Sequence, residues 1–167
     1  MRPFARAICT ALAVTTLSTA DPALAGPDPT ATPTAAPSAA GVIRLRSDNG
    51  FDDTVARLKA DVQAKGVRFF DAIDQSGLGA AVELKIRRST LVLFGNPPLG
   101  VQFLQSNPYA GLDWPVRMLV VEQPDGVYVA WTDFAEIAAR YGLMNRDAQL
   151  KMASEVAASI ATAATRR

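Results

Sequence analysis

The sequence predicts an α+β domain: a mostly antiparallel sheet with helices packed on one face, in the order strand, helix, several strands, helix. Three observations carry this. Strand-like segments come in a run between helical ones, which favours segregated layers. Two of them, in PVRMLVVEQPDGVYVAWTDF (115–134), flank Pro124-Asp125-Gly126 and read as a hairpin. The chain is 49% hydrophobic and 20% charged, enough apolar material for a core.

Each element follows from its residues. VIRLRSD (42–48) alternates apolar and basic and predicts a half-exposed strand. In GFDDTVARLKADVQAKG, Phe51, Val55, Leu58 and Val62 recur at helical spacing. Asp52 and Asp53 suit the positive end of that helix, and Gly66 is placed to end it. VRFFDAID (67–74) is a second strand. QSGLGAAVELKIRR is a connector with a weak helical centre. STLVLFGN is a third strand, and its unbroken apolar run predicts burial on both faces. LGVQFLQSN makes a short helix after the Pro97-Pro98 turn. FAEIAARYG aligns Phe134, Ile137, Ala138 and Tyr141 on one helical face. The last helix, RDAQLKMASEVAASIATAATRR, carries the stripe Leu150, Ala153, Val156, Ala157, Ile160 and Ala164.

The first residues are of another kind. Arg2 and Arg6, the run AICTALAVTTLSTA and the tripeptide Ala23–Ala25 read as a signal peptide over 1–25, cleaved before Gly26. The apolar run is too short to span about 30 Å of hydrocarbon, so no membrane span is expected after cleavage. Residues 26–41, GPDPTATPTAAPSAAG, are a disordered Pro/Ala/Thr-rich linker. A single domain then covers 42–167. The expected location is exported, periplasmic or secreted.

Composition excludes several chemistries. The whole chain has no histidine and one cysteine, Cys9, which leaves with the signal. Ser-His-Asp and Cys-His catalysis are therefore excluded within the chain, and no zinc, haem or other cofactor is expected. Seventeen basic residues against sixteen acidic ones give a net charge of +1, no footprint for nucleic acid. GLGAAV (77–82) lacks the third glycine of a dinucleotide fingerprint and reads as a loop. Asp71, Asp74, Asp133 and Glu136 sit at strand ends. They read as solvated ends and a helix cap at Asp133, with acid–base or calcium work as the alternative. The basic cluster Lys85, Arg87 and Arg88 reads as a solvated connector, or else an anion clamp. Trp114 and Trp131 suit a core or a pocket. In FGNPPLG, Gly95 supplies backbone freedom, Asn96 a side-chain turn bond, and Pro97 an extended Asn96.

Five stretches together resemble the family known as domain of unknown function 302: FDDTVARLKADVQAKG, FFDAID, STLVLFGNPPLG, AGLDWPVRMLVVEQPDG and ARYGL. The resemblance implies a fold like that of the TATA-binding protein, a curved sheet with helices on one side, and frequent homodimers. It implies no activity. This chain departs from the family at Gln75, where a histidine is common, at Val101, where threonine is common, and at Tyr141 in place of the histidine of an Arg-His-Gly triplet.

The sequence thus reads as an exported, non-catalytic module that binds a small ligand or a protein. The alternative is an enzyme using carboxylate, lysine or arginine groups near FGNPPLG. The candidate ligand-binding residues are Gly95, Asn96, Pro97, Gln75, Arg88 and Trp114, with no metal site. A homodimer is the expected partner state, with the alanines of the last helix as its first candidate interface.

Overall fold

The structure, a computed structural model, describes residues 41–167. The expected signal peptide and all but the last residue of the linker lie outside the described residues. The strands are β1 (Val42–Arg46), β2 (Arg68–Asp74), β3 (Ser89–Gly95), β4 (Val116–Gln123) and β5 (Gly126–Thr132). The helices are α1 (Phe51–Ala64), α2 (Gln75–Ala81), α3 (Pro97–Ser106), α4 (Phe134–Tyr141) and α5 (Asp147–Thr165), with a 3-10 turn at Pro108–Leu112.

The five strands form one antiparallel sheet in the order β1-β5-β4-β3-β2. This is the α+β architecture the strand run predicts. β1 and β2 lie on opposite edges, so α1, which joins them, must cross the sheet. Strand periodicity sorts the side chains. Val92 and Phe94 of β3, Met118 and Val120 of β4, and Val129 and Trp131 of β5 are buried in the core with Leu58 and Val62 of α1. Leu91 and Leu93 alternate with these and are only half-buried. The expectation that β3 is buried on both faces therefore fails. Its interior place in the sheet, between β2 and β4, explains the apolar run without a second helical layer.

The local chemistry of the ends is as the residues dictate. Asp52 and Asp53 occupy the first turn of α1, and Gly66 follows its last residues with φ +65°. Asp133 accepts the Ala135 N–H at 3.0 Å and caps α4. The GLGAAV stretch, expected as a loop, is mostly helical. Asp74 accepts the Gly77 N–H at 2.9 Å and starts α2, outweighing the low helix propensity of Gly77 and Gly79. α3 begins at Pro97, so both prolines lie inside its first turn, where a missing N–H costs little.

α5 packs along α1 and also touches β1 and β5. Ala153, Ala157, Ala161 and Ala164 are buried there, against this chain's own core. These four alanines are spent on close helix packing within one chain, while Ala158 is half-buried and Ala163 exposed.

Candidate functional site

The two glycines of FGNPPLG have a partner that the sequence did not reveal. Gly95 is not left-handed. Its function is to leave room: a Cβ there would meet Trp114 Nε1 at 3.1 Å, and one at Gly100 would overlap the indole outright. Trp114 follows the 3-10 turn, and its peptide bond to Pro115 is cis. The edge of its ring meets Phe70 of β2, with centroids 5.9 Å apart and planes at 76°. Asn96 is extended, with φ −106° and ψ 105°, as Pro97 requires. Its side chain makes no cap bond; its carbonyl instead accepts from Leu99 and Gly100 at 3.1 and 2.8 Å.

Beside this junction lies a cavity of about 330 Å³. Phe94 and Val116 form its sheet side. Leu99, Gly100 and Phe103 come from α3, and Met152, Ala153, Val156 and Ala157 from α5. Phe134, Val67, Lys65, Gly95, Asn96 and Trp114 complete the lining. The walls are apolar, with few polar groups: the Trp114 indole N–H, the Asn96 amide and the Lys65 ammonium. Lys65 already pairs with Asp61 at 2.5 Å on the surface of α1.

Of the six candidate ligand residues, the fold brings Gly95, Asn96 and Trp114 together around this cavity. Pro97 is adjacent in α3 and does not line it. Gln75 and Arg88 lie beyond the other end of β3, about 20 Å away at the rise of an extended strand. Gln75 Oε1 accepts from Ser89 Oγ at 2.7 Å. Arg88 forks onto the Asp52 carboxylate at 2.9 and 2.5 Å and stacks over Phe51 at 4.3 Å. Phe51, Asp52, Lys59, Asp74, Ser76 and Arg88 contribute to a more open cleft there, of about 450 Å³. The other tryptophan, Trp131, is a core residue. Among the described residues no group of three or more His, Cys, Asp or Glu side chains could hold a metal ion.

A second constellation centres on Asp113, which is only 6% exposed. Arg117 of β4 pairs with its Oδ1. On Oδ2, Arg140 Nη1 donates at 2.8 Å and the Tyr141 hydroxyl at 2.6 Å. Burial pushes the carboxyl up, but the Tyr141 hydroxyl and the Arg117 and Arg140 guanidiniums outweigh it, and the pKa lies below the usual aspartate value. Both carboxylate oxygens are engaged from β4 and α4, so Asp113 is a tie between elements. Tyr141, which stands where the family resemblance leads one to expect histidine, supplies one arm of that tie. The sequence singled out GLDWP and Tyr141 separately, and only the fold joins them.

Curated relatives match part of the chain. Proteins named "Fluoride-specific ion channel FluC 1" from Brucella suis and "Fluoride-specific ion channel FluC 2" from Brucella melitensis are each 28% identical over 113 residues, 66% of this chain. The chain spans only 44% and 42% of their respective lengths. No described helix is long and apolar enough to cross a membrane. Among solved structures, the fold is similar to the crystal structure of an uncharacterized conserved protein from Bacillus stearothermophilus, described as DUF302. The TM-score is 0.64 at 15% identity, over 74% of this chain and 98% of that one. Residues 43–166 match the family described as "Domain of unknown function DUF302", and the chain belongs to that family.

Proposed function

We propose that the chain is an exported, non-catalytic small-ligand-binding module whose ligand lies in the cavity beside FGNPPLG. The cavity itself carries the reading: a concave, mostly apolar space near the lower size limit for small-molecule sites, with few polar residues in its lining. Its lining includes one ionisable side chain, Lys65, and no carboxylate, so paired acid–base chemistry has no seat there. The experiment is solvent extraction of the purified full chain followed by mass spectrometry. A small apolar compound is expected from the wild type and is expected to be lost from Val156→Trp, which fills the space. Equal recovery from both defeats the proposal.

We also infer that the chain self-associates as a homodimer. With Ala153, Ala157, Ala161 and Ala164 of α5 buried, the sheet's outer face is the better surface. Leu91, Leu93, Leu119, Val121 and Ala130 lie there, half-buried and outside the core. A second functional reading comes from the Brucella proteins: a domain that works beside an ion channel. The shared stretch is under half of each of them. Fluoride tolerance unchanged on deletion of the gene would end that reading.

A further inference from the structure

The second half of α2 and the segment that joins it to β3 carry large aliphatic side chains that the fold leaves in water. Leu78, Val82, Leu84 and Ile86 are 62%, 65%, 67% and 56% exposed. Single exposed aliphatics are ordinary; four within nine residues form a patch.

The patch sits on a built turn. Leu84 N–H donates to Gly79 O at 2.9 Å and Glu83 N–H to Ala80 O at 3.1 Å. Glu83 between them is left-handed, with φ 62°. This is the two-bond closure of a helix C-terminus, usually given to glycine. A side chain at Gly79 would meet the Leu84 carbonyl oxygen at 2.6 Å. The turn therefore depends on Gly79, and it accepts an unfavourable backbone conformation at Glu83. It holds its aliphatic side chains outward in a defined arm.

Charge identifies what the arm fits. Lys85 and Arg87 alternate with Leu84 and Ile86 and are exposed, and neither is in an ion pair with a described acid. Arg88, next along, is held by Asp52. Glu83 is the only acid from 78 to 87, so the arm is net positive. A two-fold second copy would bring another Lys85 and Arg87 to the same contact, like charge against like. A lipid surface offers the complement: an apolar boundary rimmed with phosphates.

We propose that the arm, residues 78–87, docks on an anionic lipid surface. Leu78, Val82, Leu84 and Ile86 enter the boundary between headgroups and acyl chains, and Lys85 and Arg87 pair with lipid phosphates. The test is hydrogen exchange on the full chain with vesicles of phosphatidylcholine mixed with phosphatidylglycerol. Because the readout is local, lipid contact elsewhere in the chain does not mimic it. Amides of 78–87 are expected to exchange more slowly with vesicles than without. Lys85→Ala and Arg87→Ala are each expected to weaken this about fivefold. Leu84→Asp combined with Ile86→Asp is expected to abolish it, with exchange in the core strands unchanged. Three results overturn the proposal: arm exchange unaffected by vesicles; protection that rises with protein concentration in the absence of lipid, which assigns the arm to a second copy; and equal protection on pure phosphatidylcholine with the lysine and arginine variants silent.

Discussion

Gly100 has no side chain because Trp114 occupies the place where one would be. Gly100→Ala forces the indole to move, and overpacking of this kind costs about 1–3 kcal/mol. Thermal unfolding is expected to shift down by that amount, and the tryptophan emission to change with it. Gly95→Ala, with its nearest contact at 3.1 Å, is expected to cost less. Asp113 is the other residue on which much rests. Asp113→Asn removes the charge that two guanidiniums and a hydroxyl address, and hydrogen bonds to a charged group contribute about 1.5–3 kcal/mol. A loss of about 2–3 kcal/mol at neutral pH is expected, moderated because Arg117 and Arg140 can rehydrate at the surface. The sign with pH follows from the lowered pKa. The carboxylate's contribution is complete above the unfolded value of about 3.9. It is lost as pH falls through the still lower folded value. The wild type is therefore expected to lose stability steeply below about pH 4, and Asp113→Asn to show a flatter acid limb in the same melting series. A wild type and variant with parallel limbs would remove Asp113 from the account.

At the scale of elements, the periodicities were readable because each one is local. The 3.6-residue spacing of Phe51, Leu58 and Val62 and the turn at Pro124-Asp125-Gly126 need no distant partner to be recognised. Apart from the local Asp74 cap that turns GLGAAV into a helix, what the sequence hid was a long-range pairing. Gly95 looked like a turn residue until Trp114 was seen against it. Arg88 read as part of a solvated connector, or else an anion clamp, until Asp52 was found in its fork. The end of α5 is a third case. Its last carbonyls are capped from across the chain: Asn49 Nδ2 donates to Ala164 O at 3.2 Å and Arg166 O at 3.0 Å, and Asp48 N–H donates to Thr165 O at 2.8 Å. Helix ends need such donors; the Thr165 hydroxyl and Arg166 N–H reach back to Ala161 and Thr162, and the final carbonyls are met from residues 48 and 49. Asn49→Ala is expected to cost about 1 kcal/mol, by the usual net value of a hydrogen bond. Hydrogen exchange should show that loss in the last turn of α5. Unchanged protection there would mean that the Asp48 amide suffices.

The whole molecule presents two unlike faces of one sheet. α1 and α5 seal the inner face, and the cavity lies at its edge, where α3 and Trp114 meet β3 and β4. The outer face keeps an apolar centre with Leu91, Leu93, Leu119 and Val121 half in water. An antiparallel sheet can stay wet on one side, but its wet side then usually alternates to polar residues, as Arg44 and Arg46 do on β1. The central strands do not: Leu91 and Leu93 stand opposite Leu119 and Arg117 in register, and a single charge interrupts the apolar surface. The edge is basic on β1, while Asp71 of β2 pairs in register with Leu93 at the other side. A two-fold partner laid face to face can place the Arg44 side of one copy over the Asp71 side of the other and close both apolar centres at once. Light scattering on the full chain is therefore expected to give a mass of two copies. Leu119→Arg adds a charge to the centre of the face without touching the core. It is expected to give a mass of one copy, with an unfolding transition that no longer depends on concentration. A monomeric wild type would sink the dimer. A dimeric Leu119→Arg would move the interface off the sheet.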